Sequence, residues 1–529
     1  MTSIIRNIII SIAIVIGMMI LLMAPDYIFA TYHETYQVTS YWRIIGYLIL
    51  PLSIGLVFNK YRWFSIICIT ILAVLQLMQF SCLSYFGRLL TQYDFGMISA
   101  EYEDVMIGAK DAIKDHWKVI PTVLIPFCLI WLLMKIKIKR SIIGTLILLI
   151  TIYESYQANC HKSIPYPIEG RISISNTLKS FSLFVKSLYT NYKPQEYKPY
   201  EIKNIGIPHD EPITIVYILG ESANLEHMSL FGYERDTTPN LKRLAEESNF
   251  YFTEGIAGGV CTKSSLRFMA NVIWEPDNIK LNNSGETSLF KFAKENGFKT
   301  FYLASDPKNM VNSVCNTSSR YIDVLRTKES DFSKAAELVD DYILTLIDQQ
   351  EITDRNFIIL HQRCVHTPYQ NTFPKDYPDK HYFSGGENPR IDLYDSAMRY
   401  NDTLISRIFN RFNKFKGKFY IIWASDHNEH QGYHGWFGHS VLDPKTAQIP
   451  VIAQSNDEAF MKKFKKIFKP THYEIAKLLA EVLGFEIINP NQEENVFYID
   501  GLDYNGTTGY IKVIKDLKNK KLNFEMRRP

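Results

Sequence analysis

The chain has little cysteine, no excess of charge of either sign, and no repeat. Seven cysteines occur in 529 residues, and none forms the C-x-x-C pattern of a dithiol or metal ribbon. Cys68, Cys82 and Cys128 fall in or beside apolar runs. Cys160, Cys261, Cys315 and Cys364 remain, enough for two disulfides in an oxidising compartment, with the pairing not fixed by spacing. Lysine and arginine total 58 against 55 acids, a net charge of +3. That balance gives no electrostatic footprint for a nucleic-acid partner. No internal repeat or low-complexity tract appears, which excludes a solenoid. Lysine and arginine are also missing from one stretch, 25–42, and that local absence carries topological information.

A mean hydropathy of −0.09 averages two unlike parts. Roughly the first 155 residues are strongly apolar, and the rest reads as soluble protein. Ile4–Ala24 has spanning length, and further runs follow at Ile44–Phe58, Trp63–Leu83, Val119–Met134 and Ile142–Tyr153. Five spans are therefore expected, the second and fifth being short. Arg6, then Lys60 and Arg62, then Lys135, Lys137, Lys139 and Arg140 occupy the amino terminus and alternate connections. By the positive-inside rule the amino terminus is cytoplasmic and the soluble part lies outside. The outside loop around Met97–Gly108 suits an interfacial helix. So does Ser175–Tyr192, for which packing on the soluble part is the alternative. A Pro- and Tyr-rich tract, Tyr192–Pro212, reads as an extended linker. The expected domains are 1–155 in the membrane, 156–210 as connector, and 211–529 as an exported soluble domain.

From Ile213 onward strands alternate with helices, which predicts a mostly parallel sheet covered on both faces. Such sheets bind ligands at the carboxyl ends of their strands. Polar clusters follow the apolar runs at those ends. Glu221 follows Ile213–Leu219. Gly258-Gly259-Val260-Cys261-Thr262-Lys263-Ser264-Ser265 is a Gly-rich turn opening a hydroxyl-rich helix start, where backbone donors lower a hydroxyl's pKa. His366 follows Phe357–Leu360. Asp426 and His427 follow Phe419–Ala424, with Glu429, His430, His434 and His439 close behind. A carboxylate next to an imidazole offers two ligands of the kind zinc takes in catalytic sites.

These residues, ILGES, HMSLFGYERDTTPNL, the threonine of the Gly-rich turn, HQRCVHTPYQNTFP and SDHNE, resemble the lipid phosphoethanolamine transferases of the alkaline phosphatase and sulfatase superfamily. That family includes enzymes that modify lipid A and confer polymyxin resistance. The resemblance covers most of the chain and implies five helical spans in a bacterial inner membrane, followed by a periplasmic α/β sulfatase-like domain. It implies Glu221, Asp426 and His427 as metal ligands. Thr262 is similar to the family's nucleophile and fourth ligand, and His366 and His439 to its further catalytic histidines. His439 is preferred to His434 because Glu429, Gly432, Gly435 and His439 reproduce the family's order. Tyr394-Asp395-Ser396 resembles a helix motif with a packing role.

The implied cofactor is zinc, one ion or two, with Mn²⁺ as the rival that oxygen ligands leave open. The implied donor is phosphatidylethanolamine and the implied acceptor lipid A or lipooligosaccharide, acted on by a monomer. A phosphothreonine would carry the headgroup between two displacements. The turn departs from the family in having Lys263-Ser264-Ser265 and no proline after the threonine. Alternatives are a phosphoglycerol transferase of the same superfamily, a sulfatase or phosphodiesterase using Cys261 as formylglycine, or a non-enzymatic envelope protein.

Overall fold

The computed structural model describes residues 2–33, 44–92, 116–160, 172–189, 195–207, 211–305, 316–327, 340–374, 377–502 and 508–527, with 36, 38, 94, 95 and 311. The chain divides into two units, Met1–Asn191 with Gln431–Phe437, and Tyr192–His430 with Gly438–Pro529. The interfacial loop read at Met97–Gly108 and residue Cys315 lie outside the described residues.

The first unit is helical. It comprises α1 (Thr2–Ala30), a π-helical turn (Ile45–Ile49) running into α2 (Leu50–Phe58), α3 (Arg62–Phe86), α4 (Val119–Leu133), α5 (Ile142–Cys160) and α6 (Ser173–Tyr189). Each apolar run read from the sequence is helical. Among the described residues, only α1 and α3 are long and apolar enough by themselves to cross a membrane. At 1.5 Å per residue, the 14 residues from Ile45 to Phe58 reach about 21 Å, short of a hydrocarbon core of about 30 Å. The amphipathic α6 packs against other helices of this unit. Ser173 N donates to Asp26 Oδ1 (2.8 Å), and Asn176 Nδ2 donates to Gln79 Oε1 (3.0 Å). Phe184 stacks on Phe95, and Phe181 meets it edge-on.

The second unit is built on a seven-stranded sheet in the order β3-β10-β7-β2-β6-β4-β5. These strands are β2 (Ile213–Gly220), β3 (Phe250–Ile256), β4 (Lys299–Ala304), β5 (Val324–Arg326), β6 (Arg355–His361), β7 (Lys418–Ser425) and β10 (Gln448–Ser455). The five strands from β7 to β5 are mutually parallel. β10 pairs antiparallel with both β7 and β3, so the sheet is mixed at one edge. β2 and β7 are buried along nearly their whole length, as expected of central parallel strands. Two apolar layers flank the sheet, one with Trp423, Tyr394 and Phe409, the other with Tyr217, Phe290 and Leu479.

Two elements differ from the sequence reading. The tract read as an extended linker contains β1 (Glu201–Asn204), paired antiparallel with β11 (Phe485–Ile488). Tyr200 Oη anchors it by donating to the buried Glu275 (2.6 Å). The tract's tyrosines thus tie it to the soluble unit. The carboxyl terminus adds an unanticipated antiparallel sheet of β12 (Val496–Asp500), β13 (Tyr510–Asp516) and β14 (Lys521–Arg527). Between β7 and β10 lies a short hairpin of β8 (His430–Tyr433) and β9 (Trp436–Gly438).

A candidate metal and nucleophile centre

Register brings the first two clusters together. β2 and β7 are adjacent and parallel, with Gly220 opposite Ser425, so Glu221 and Asp426 leave the sheet at the same level. The backbone turns sharply there, with Ser222 at φ 53°, a left-handed conformation that costs energy and collects at functional sites. Three hydrogen bonds hold the turn. Ser222 N donates to Asp426 Oδ1 (3.0 Å), Ala223 N to Ser425 Oγ (2.8 Å), and Tyr394 Oη to Ser222 O (3.0 Å). Tyr394 sits on α8, labelled after α7 (Thr262–Ala270) and spanning Pro389–Phe412. Its neighbour Asp395 engages His227, Tyr233 and Arg235 at 2.7–2.8 Å. The Tyr-Asp-Ser motif therefore packs the loop that carries Glu221.

Thr262 opens α7 and meets both strand ends. Its Oγ1 donates to Glu221 Oε2 (3.1 Å) and lies 3.2 Å from His427 Nε2. His427 Nε2 is 3.1 Å from Asp426 Oδ2 and 3.5 Å from Glu221 Oε1. Glu221, Asp426 and His427 are buried and could hold a metal ion, their ligand atoms lying within 4.8 Å of one another. The chemistry of this set fits a cation. His427 Nδ1 is 3.3 Å from Asn428 O, so a proton held there would leave Nε2 free to ligate a bound cation. Two carboxylates and that imidazole then converge beside the Thr262 hydroxyl. Asp426 Oδ2 is buried with no hydrogen bond, a costly arrangement unless a positive charge faces it. Burial raises the Asp426 carboxyl, but His427 and the donors on it outweigh that and hold it well below the ordinary range.

A second constellation adjoins the first. The His439 and His427 rings have centroids 4.2 Å apart, and those of His366 and His439 are 5.7 Å apart. Glu429 Oε2 accepts from His439 Nδ1 (2.7 Å), and its Oε1 accepts from Tyr369 Oη (2.7 Å). Burial pushes the Glu429 carboxyl up, but the His439 charge and these hydrogen bonds bring it down to about 2. The other histidines of the loop do different things. His434 is exposed at the hairpin tip, and buried His430 bonds Thr446 Oγ1 (2.8 Å). His361 is buried against Tyr302 Oη (2.7 Å).

The geometry meets its relatives at this point. The sulfatase family matches residues 213–467. This stretch, just under half of the chain, is similar to the sulfatase family.

Other comparisons extend the likeness. Kdo(2)-lipid A phosphoethanolamine 7''-transferase of Salmonella typhimurium is 26% identical over 309 residues, 53% of each chain. Phosphoethanolamine transferase EptA of Helicobacter pylori is 25% identical over 312 residues, 56% of this chain and 57% of that one. The chain thus spans about half the length of the curated relatives it matches. The integral membrane protein lipooligosaccharide phosphoethanolamine transferase A of Neisseria meningitidis superposes with a TM-score of 0.59 at 14% identity. That match covers 90% of this chain and 95% of that chain, a likeness of fold that includes membrane helices.

All six site residues read from the sequence gather at one edge of the seven-stranded sheet. Two supports were not read. Glu429 was noted for its spacing, not as the partner of His439. His472, which opens α9 (His472–Val482), is fully buried between the turn before Thr262 and the end of β7. Its Nδ1 accepts from Gly258 N (3.1 Å), and its Nε2 lies 2.9 Å from Ser425 O. Nothing in the local sequence signals that bridge. Cys261 Sγ lies 3.4 Å from Ser264 Oγ and 3.7 Å from Leu502 O.

Proposed function

We propose that the protein transfers phosphoethanolamine from phosphatidylethanolamine to the lipid A or core sugar of an envelope glycolipid, with Thr262 as the nucleophile. The observation carrying this reading is the Thr262 hydroxyl, hydrogen-bonded within a buried set of Glu221, Asp426 and His427. Those three residues, with Thr262 Oγ1, would hold a divalent ion. The one imidazole and small ligand count favour zinc. When bound, the ion supplies Lewis-acid charge that lowers the pKa of the threonine hydroxyl.

The residues then divide the work. Glu221 Oε2 accepts the Thr262 proton in the resting arrangement and orients the oxygen. Thr262 Oγ1 forms a bond to the donor phosphorus as the bond to the diacylglycerol oxygen breaks. Glu429 keeps a proton on His439 Nδ1, so His439 Nε2 is the atom that exchanges protons with leaving and entering oxygens. His366 adds a second imidazole for phosphate oxygens. In the second half the acceptor oxygen bonds the same phosphorus, the threonine–phosphorus bond breaks, and Thr262 is restored. Such a double displacement gives ping-pong kinetics. A donor dissolved in the bilayer suits a catalytic domain tethered to membrane helices.

The test is a peptide mass spectrum across Val260–Arg267 on protein incubated with phosphatidylethanolamine and no acceptor. A phosphoethanolamine mass on Thr262, absent from Thr262→Ala, is the expected result. A phosphoglycerol mass formed from phosphatidylglycerol would keep the nucleophile and change the donor. An unmodified Thr262 in zinc-loaded protein with every lipid tried would overturn the transferase reading.

A further inference from the structure

The helical unit carries a groove that the catalytic chemistry does not use. One wall is a stripe of α1 with Ile4, Ile8, Ser11, Val15 and Met19. The other is a stripe of α2 with Leu50, Ile54 and Phe58. These spacings of three and four residues place each set on one helix face. The connection after α4 closes one end with Lys137 and Lys139, and Asn7 lies among the lining residues. The cavity volume is about 1010 Å³, and no acidic residue lines it among the described residues.

Polarity along the groove is graded. Asn7 and Ser11, one helical turn apart, stand with the two lysines near the amino-terminal end of α1. Val15 and Met19 lie farther along α1 and are wholly apolar. Isoleucines 4, 8 and 12 of α1 are each more than half exposed, as befits a surface bathed in lipid rather than water. A groove that is apolar along its length and doubly cationic at one mouth matches an amphiphile with an anionic head. Basic pockets between membrane helices on the cytoplasmic side bind anionic headgroups.

We propose that this groove is a binding site for an anionic diacyl phospholipid of the leaflet holding the amino terminus. The phosphate sits between Lys137 and Lys139, Asn7 and Ser11 meet the glycerol esters, and one acyl chain lies between α1 and α2. The site pins α1 against α2 and is separate from the Thr262 centre, so it stands whether or not the transferase reading does.

The test is native mass spectrometry of the full-length protein, delipidated and titrated with phosphatidylglycerol or phosphatidylethanolamine. Wild type is expected to retain phosphatidylglycerol more tightly. Each lysine near a membrane surface contributes about fivefold in affinity. The Lys137→Gln/Lys139→Gln variant should therefore bind phosphatidylglycerol about 30-fold more weakly and lose its preference for that lipid over phosphatidylethanolamine. Ile8→Trp, which fills the groove without changing charge, should weaken both lipids. Lys135 stacks on Trp131 (3.5 Å) and does not line the groove, so Lys135→Gln should have no effect. Equal retention of both lipids by wild type would overturn the site. So would a loss in Lys135→Gln as large as in Lys137→Gln, which would mark diffuse surface charge only.

Discussion

Single residues differ in how far their roles could be read in the sequence. Glu221, Thr262, Asp426 and His427 were legible because each follows an apolar run or a Gly-rich turn, where an α/β sheet exposes its strand ends. Glu429 and His472 were not, because their partners are distant in sequence or set by tertiary packing. Both roles are testable. In Glu429→Gln, the amide presents an N–H to His439 Nδ1 and forces the proton to Nε2, the atom assigned the proton transfers. Turnover should fall 10–100-fold, the usual cost of losing a ligand-orienting partner, with the thermal midpoint little changed. Recovery of full turnover would remove Glu429 from the proposed mechanism. His472 gives a pH effect. Burial lowers its pKa from 6.5 to about 4, partly offset by the Ser425 carbonyl. Below pH 6.5 the unfolded chain takes up a proton that the folded one refuses, so stability falls with pH until about 4, by about 3 kcal/mol in all. Melting of full-length wild type between pH 7 and 4.5 should show this loss. His472→Gln, which cannot titrate, should show a smaller one.

At the level of elements, the long parallel strands, the β10 strand and the helices were readable from apolar runs and helical periodicity, and β3 and the carboxyl-terminal antiparallel sheet were not. β3 (FYFTEGI) is half-buried at the sheet edge, so it lacks the continuous apolar run that marks β2 and β7. β13 alternates buried and half-buried positions along its length, a period-two signal passed over because the preceding pattern was strand and helix. The turn before α7 is where element geometry meets chemistry. Asp500 N donates to Gly258 O (2.8 Å), Val260 N to Asp500 O (3.1 Å), and Ser440 N to Val260 O (3.0 Å). Beneath it the buried Arg267 of α7 pairs with the Asp500 side chain. A Cβ on Gly259 would stand 2.2 Å from Ser264 Oγ and 2.9 Å from the Ser264 backbone. Gly259→Ala must therefore push the first turn of α7 away from the Glu221–Asp426 edge. A displacement near 1 Å costs about 100-fold in rate. Turnover should fall by that order while far-ultraviolet circular dichroism stays native, and undiminished turnover would show that the turn tolerates the shift.

For the whole molecule, the open quantity is how many times the chain crosses the bilayer. Charge argues for an odd number: basic residues lie near the start of α1 (Arg6), between α2 and α3, and between α4 and α5, while 25–42 has none. Length argues less simply, since among the described residues only α1 and α3 suffice unaided. The shorter helices can still cross if the bilayer thins locally and flanking lysines extend to the headgroups. Lys118, Lys135, Lys137 and Lys139 are placed at the ends of α4 and before α5 to do so. If all five cross, Lys60 and Lys139 lie on the side of the amino terminus, and Thr31 and Lys518 lie opposite. A membrane-impermeant maleimide applied to intact cells should then label Thr31→Cys and Lys518→Cys. Lys60→Cys and Lys139→Cys should react only after the membrane is opened, all four measured above the background of the native cysteines. Labelling of Lys139→Cys from outside would mean that α2 or α4 fails to cross, so that basic connections and shared sidedness part company. Protection of Lys518→Cys would put the proposed catalytic edge on the wrong face for an envelope glycolipid, and the acceptor would have to be sought among cytoplasmic molecules instead.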